Sequence, residues 1–307
     1  MPTGLLFPGQ GSQYEGMGLE LSAAFPEARR TFEEVDEILG ISLSTLMTMG
    51  PREELTETRN AQPALLTHSV AVLRVLGDRL GEPAMAAGHS LGEFSAHVAA
   101  GTLRFDDAVR AVRARGELMF EAGQRRPGTM AAILGLDEAE VEAVCAAASD
   151  SSGVVVPANL NSSGQVVISG DVGAVERALE GAREAGAKRV IPLHVSGAFH
   201  SPLMEPAQEG LREALESVKF DRPRFPVVSN VTARAVVEGE EARELLVEQL
   251  TSPVRWSESI RRMVDLGCDR FLEIGAGSVL TGLNRRNAKG FESISVGEPA
   301  DLSKLGL

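Results

Sequence analysis

The sequence predicts an α/β protein: a larger domain with a parallel sheet and helices on both faces, and a small ferredoxin-like subdomain inserted into it. Three observations carry this. Between residues 3 and 123 short apolar runs alternate with helical periodicities, the rhythm of a parallel sheet. From 127 to about 195 the order becomes β-α-β-β-α-β, that of a ferredoxin-like unit. Ser90 sits between Gly88 and Gly92, where a predicted strand runs into a predicted helix. The expected division is 1–126 and 196–307 for the larger domain and 127–195 for the subdomain.

Taken in order, TGLLF (3–7) reads as a buried strand ending at Pro8-Gly9, and AQPALLTHSVAVLRVLGDRL (61–80) as a long helix with Pro63 in its first turn. MAAGHS (85–90) is a strand entering a turn, LGEFSAHVAAG (91–101) a helix closed by Gly101, and 104–123 a further helix. In the inserted unit the strands are 129–136, 154–162, 165–171 and 188–196, and the helices 137–149 and 172–186. FPVVSN (225–230) and RFLEIGAG (270–277) return to the larger domain, and the tail GEPADLSKLGL reads as a loosely held end.

Composition removes several classes of function. Charged residues make up 24% and no apolar run approaches the roughly 18 residues of a membrane span, so a membrane protein is not expected. A formal charge of −13 disfavours nucleic acid as a partner. Cys145 and Cys268 stand alone, without metal spacing or a disulfide framework, and MPTGLLFPGQGSQ lacks a basic n-region. A cytoplasmic protein without a metal or other cofactor is expected, and a monomer.

G-H-S-L-G (88–92) fits the nucleophile-elbow pattern, which makes the larger domain hydrolase-like: glycines allow the sharp strand-to-helix turn that exposes a serine oxygen. A Gly-Ser turn of this form also arises by chance; the flanking strand and helix favour the elbow. The start of the following helix offers free N–H groups to an oxyanion. Five histidines are candidates for the base. His68 and His97 fall on helices, His194 in a strand of alternating apolar neighbours, and His89 beside the serine itself. His200, in the loop SGAFHSPLM, is favoured over His89. Arg110, Arg113 and Arg115 share one predicted helix, and pattern alone does not rank them.

Beyond the elbow, FPGQGSQ (7–13), AQPALL (61–66), GHSLGEFSA (88–96), RARGELM (113–119), MAAILGL (130–136), ANLNSSGQVVISG (158–170), GAFHSPLM (197–204), SNVTA (229–233), LLVEQLTSPVRW (245–256) and FLEIGAG (271–277) occur in order. This set, running through about residue 287, resembles the malonyl-CoA:acyl carrier protein transacylases, a family shared with the acyltransferase domains of polyketide synthases.

The resemblance implies a malonyl transfer from malonyl-CoA to the phosphopantetheine thiol of a holo acyl carrier protein. Ser90 would be the acylated nucleophile and His200 its base, with no triad aspartate. Gln249 matches the residue whose main-chain carbonyl orients the imidazole, and Asn230 an asparagine that supports the active-site loops. The N–H groups of Gln10 and Leu91 would form the oxyanion hole. The resemblance also selects Arg115 as the fork for the malonate carboxylate, to which a planar guanidinium is suited. The chain departs from the family at Phe120, where glutamine is usual, and at Ala276, where proline is common. Its GAFH sequence is closer to malonyl-selective polyketide acyltransferases, so Phe199 and Phe120 are expected at the acyl pocket.

The alternatives are a serine hydrolase clearing acyl groups from carrier proteins, a polyketide trans-acyltransferase using another extender unit, and an inactive carrier-docking module. Since carrier proteins are generally acidic, contact with this acidic chain would be local. Lys188-Arg189, Arg261-Arg262 and Arg285-Arg286 are candidates, although each pair also reads as ordinary solvated charge.

Overall fold

The computed structural model describes residues 2–305. The strands in chain order are β1 (Thr3–Phe7), β2 (Met85–Gly88), β3 (Gly128–Leu134), β4 (Val155–Ser162), β5 (Gln165–Asp171), β6 (Arg189–Pro192), β7 (Val227–Val228), β8 (Ala235–Val236), β9 (Arg270–Ile274) and β10 (Glu292–Val296). They form two sheets.

The six-stranded sheet runs β10-β9-β1-β2-β7-β8, parallel except for β8. Its central strands β1 and β2 are apolar from Gly4 to Phe7 and from Met85 to Gly88, as expected where both faces are covered. In register, Phe7 faces Gly88, so the turns leaving β1 and β2 lie side by side at the carboxyl edge. That edge is where open α/β sheets place their ligands.

The four-stranded sheet runs β4-β5-β3-β6, antiparallel throughout, which is the ferredoxin-like order. Strands β3, β4 and β5 bury residues on both faces. Ala131 and Ile133 of β3 pack with Val141, Cys145, Val175 and Ala178 of helices Glu138–Ala148 and Val172–Glu184. Met130 and Ala132 face the main core instead. Asp137 and Glu140 form a capping box that starts the first of these helices. A bridge ties β4 to the rest of the chain: Leu160 N donates to Val254 O and Val254 N to Ala158 O, each at 2.9 Å.

Two helices cross beneath the site. Thr58–Leu76 is buried nearly all round and starts earlier than the sequence predicts, which leaves Pro63 inside it rather than in its first turn. Proline cannot donate to Arg59 O one turn back, and Arg113 Nη1 takes that carbonyl at 3.1 Å. Arg113 lies on helix Phe105–Arg125, which also carries Gly116. A Cβ there would stand 2.7 Å from Arg59 Cα and 2.9 Å from Thr58 O, so the glycine sets how closely the two helices approach.

Other differences from the sequence reading are local. Helices Leu19–Ala24, Pro26–Leu39, Leu43–Met49 and Arg52–Thr56, and strand β10, carried no sequence assignment. The strand expected over 188–196 ends at Pro192, and His194 lies beyond it, exposed. The tail is not loose as far as residue 305: Pro299–Leu305 is a 3₁₀ helix with Leu302 buried, and Asp301 accepts from Gly297 N and Glu298 N. Its last two residues lie outside the described ones.

Candidate active site

Ser90 stands in left-handed backbone at φ 50°, a conformation that costs a non-glycine residue about 1–3 kcal/mol. Both neighbouring glycines are required by space. A Cβ on Gly88 would meet Gly92 C and O at 1.9 Å, and one on Gly92 would meet Phe7 O at 2.1 Å. The turn is held from outside by Asn230, whose Oδ1 accepts from Ser90 N and whose Nδ2 donates to Gly88 O, both at 2.7 Å. Helix Gly92–Ala99 follows directly.

His200 also holds left-handed backbone, at φ 58°. Its Nε2 is 2.8 Å from Ser90 Oγ, and its Nδ1 is 2.8 Å from the main-chain oxygen of Gln249. A carbonyl can only accept, so Nδ1 carries the proton and Nε2 is left as the acceptor for the serine hydroxyl. Burial, seconded by the charge of Arg115, lowers the His200 pKa to about 3, which keeps the imidazole neutral. His89 points elsewhere. Its Nε2 pairs with Asn161 Oδ1 at 2.8 Å, and its ring packs on Trp256. His68 and His97 are buried and have no hydrogen-bond partner for their ring nitrogens among the described residues.

Of the three arginines, the structure brings Arg115 to the serine. Arg110 is paired outside with Asp106, and Arg113 with Glu117. Arg115 is 1% exposed, and Nη2 reaches Ser90 Oγ at 3.2 Å. Nη1 donates to Gln62 Oε1 at 2.7 Å and Nη2 to Gln249 Oε1 at 2.9 Å. Its Nε has no partner among the described residues. Burial lowers its pKa to about 10, with Glu93 acting against that, so the guanidinium stays charged at neutral pH.

Gln10 and Leu91 both line the cavity beside Ser90, and neither main-chain N–H has an acceptor among the described residues. The turn that carries Gln10 lies hard against the elbow, since a Cβ on Gly9 would be 2.4 Å from His89 O. The cavity holds about 310 Å³ and is also lined by Met119, Met130, Phe199 and His194. Phe199 is therefore at the pocket, but Phe120 is not among its lining residues. One position along a helix turns a side chain by about 100°, and Phe120 lies under the Arg59 guanidinium while Met119 faces the cavity. A larger cleft of about 630 Å³ lies by Gly81 and Pro83, ahead of β2, and contains none of these groups.

Sequence reasoning missed two residues of this network. Gln62 and Glu93 are fully buried polar side chains, on helices that also bury other polar ones such as Thr67, His68, Ser95 and His97. Both fall within motifs already singled out, AQPALL and GHSLGEFSA; what pattern lacked was the buried partners, Arg115 for Gln62 and Gln249 with Asn230 for Glu93.

The sequence profile described as "Acyl transferase domain" matches residues 5–302. The malonyl CoA-acyl carrier protein transacylase of Bacillus subtilis (strain 168) is 50% identical over 294 residues, 96% of this chain and 93% of that protein. The chain belongs to the malonyl CoA-acyl carrier protein transacylase family. Its Escherichia coli (strain K12) relative of the same name is 46% identical over 97% of this chain and 96% of that one. Among solved transacylases, an acyl carrier protein S-malonyltransferase from Vibrio cholerae superposes with a TM-score of 0.94 at 42% identity, covering 99% of this chain and 100% of that one. PlMCAT, the malonyl-transacylase solved in complex with the type II polyketide acyl-carrier protein AntF, gives a TM-score of 0.95 at 43% identity over 99% of each chain.

Proposed function

We propose that the protein transfers malonyl from malonyl-CoA to the phosphopantetheine thiol of an acyl carrier protein through a malonyl-Ser90 ester. The observation that carries this reading is the buried Arg115 guanidinium 3.2 Å from Ser90 Oγ. The guanidinium's direct partners, Gln62, Gln249 and Ser90, are all neutral, and an acyl group with its own carboxylate supplies an anion in contact with it.

In the first half-reaction His200 Nε2 takes the Ser90 proton as Oγ attacks the thioester carbonyl. The main-chain N–H groups of Gln10 and Leu91 receive the oxyanion. Collapse breaks the C–S bond, and the imidazolium returns its proton to the CoA thiolate. The second half-reaction repeats these steps with the carrier thiol as nucleophile, which regenerates Ser90. Asn230 supports the elbow, and Gln249 holds both the imidazole and the guanidinium. No step calls for a metal or another cofactor.

A hydrolase of simple acyl groups gains nothing from Arg115. A branched extender would have to fit beside Phe199, Met119 and Met130 in the same cavity. The proposal includes a cytoplasmic monomer, with 127–195 as the inserted unit. Two free, buried cysteines suit a reducing compartment, and no helix among the described residues is long and apolar enough to cross a membrane. Lys188-Arg189, Arg261-Arg262 and Arg285-Arg286 are exposed and make no ion pair among the described residues, which leaves them free for an acidic carrier.

The test is an intact-mass experiment. Malonyl-CoA gives a one-to-one adduct on wild type and none on Ser90→Ala, and holo carrier protein removes the adduct as malonyl-carrier. Decay at the same rate with and without carrier, yielding free malonate, would instead support the hydrolase.

A further inference from the structure

Behind Arg115 lies a buried acid that the mechanism above does not use. Glu93, in the first turn of helix Gly92–Ala99, is 1% exposed. Its Oε2 accepts from Gln249 Nε2 at 2.6 Å and from Asn230 N at 3.1 Å. Among the described residues it has no ion pair within 4.0 Å. The Gln249 amide stands between the two charges: Nε2 donates to Glu93 while Oε1 accepts from Arg115 Nη2 at 2.9 Å. Glu93 thus holds both residues that position the reaction, Gln249 behind the imidazole and Asn230 behind the elbow.

We propose that Glu93 is a positioning residue that couples malonyl binding to the uptake of one proton. Ionised, it balances Arg115 in the empty site. Protonated, it leaves the guanidinium charge to the substrate carboxylate. The inference rests on the pairing of that carboxylate with Arg115. As malonyl enters, Glu93 takes a proton from solvent; as malonyl departs on the carrier thiol, the proton returns. The O–H bond of Glu93 is the one bond made and broken in this step.

Electrostatics agrees with the geometry. Burial raises the Glu93 pKa to about 7, opposed by the hydrogen bonds from Gln249 and Asn230 and by the charge of Arg115. An anion on Arg115 diverts that charge, which raises the pKa further. The surroundings hold few rivals. β1, β2 and β7 carry no titratable side chain within their spans. On helix Thr58–Leu76, Arg59 pairs with Glu57, Arg74 with Glu34, and burial holds His68 neutral. On helix Phe105–Arg125, Arg115 is the buried ionisable group. His97, one turn along the same helix as Glu93, and His89 and His200 at the site all have lowered pKa values.

The first measurement is proton uptake by the Ser90→Ala protein, followed by calorimetry in two buffers of different ionisation enthalpy at about pH 8. Binding of malonyl-CoA should take up nearly one proton, and binding of acetyl-CoA none. Equal uptake with both ligands, or none with malonyl-CoA, overturns the proposal. The second is the KM for malonyl-CoA against pH. In wild type it rises up to about tenfold per pH unit above 7 while that for acetyl-CoA stays level. Glu93→Gln keeps an oxygen for Gln249 Nε2 and Asn230 N; its malonyl-CoA KM should stay low and level with kcat within a few-fold, and a wild-type profile in this variant overturns the proposal. Arg115→Ala separates the two ideas. If malonyl-CoA stays preferred over acetyl-CoA there, the clamp itself is wrong. If the preference collapses while Glu93→Gln keeps the wild-type profile, the error lies in Glu93 alone.

Discussion

Ser90 and His200 both hold left-handed backbone, at φ 50° and 58°, and their side chains meet at 2.8 Å. Two strained residues aimed at each other by a rigid scaffold are set up for proton transfer. His200→Ala should therefore slow acylation and transfer alike, by about 10²–10⁴-fold. His89→Ala should act through local structure, since His89 is tied to Asn161 and Trp256 rather than to the hydroxyl. Stopped-flow acylation of both variants checks this; the reverse pattern in folded protein would put the base at His89.

Gly116→Ala tests the helix contact that presents Arg115. The added methyl has backbone within 3 Å on the facing helix, so one helix has to move. Overpacking of this kind costs about 1–3 kcal/mol. Urea midpoints should fall accordingly, and kcat/KM for malonyl-CoA should fall with them, because the displaced helix carries Gln62, the partner of Arg115 Nη1. Unchanged stability would mean that the helices have slack.

His97 gives an acid-stability prediction. Burial lowers its pKa to about 3, below the unfolded value of about 6.5. Between these values the unfolded chain binds a proton that the folded one refuses. Stability from this group is thus full above about pH 6.5 and is lost as pH falls toward 3. Wild type should lose about 2 kcal/mol more than His97→Leu between pH 7 and pH 5. Denaturation curves at the two pH values give the difference; equal losses would mean that His97 can be protonated in place.

The elbow was legible because its demands are local. A sharp strand-to-helix turn needs glycine at fixed offsets, and so leaves a mark five residues long. The ferredoxin-like order was legible for a similar reason, since short strand-like runs and helical runs follow one another within residues 127–195. Arg115 was not legible by pattern, since three arginines within six positions share one helix, and only the crossing at Gly116 decides which one meets Gln62 and the serine. Phe120 was misplaced for want of a helix phase. Glu93 and Gln62 were missed because a buried polar side chain is explained by its partner: Asn230 and Gln249 lie 137 and 156 positions from Glu93, and Arg115 lies 53 from Gln62. Three of the four helices between Leu19 and Thr56 span only five to seven residues, too few to show a period, whereas Pro26–Leu39 does carry one, with Ala28, Thr31, Phe32 and Val35 on its buried face, and was overlooked.

The central claim is that Ser90 takes malonyl because Arg115 holds its carboxylate, and kcat/KM for malonyl-CoA and acetyl-CoA on wild type and Arg115→Ala tests it most directly. Truncating one partner of a buried charge pair costs about 2–5 kcal/mol. The account predicts a loss of that size for malonyl-CoA, with acetyl-CoA unchanged or improved because no unpaired guanidinium remains to penalise it. A parallel fall for both substrates would contradict the account, since it would make Arg115 a structural prop and leave the carboxylate without its partner.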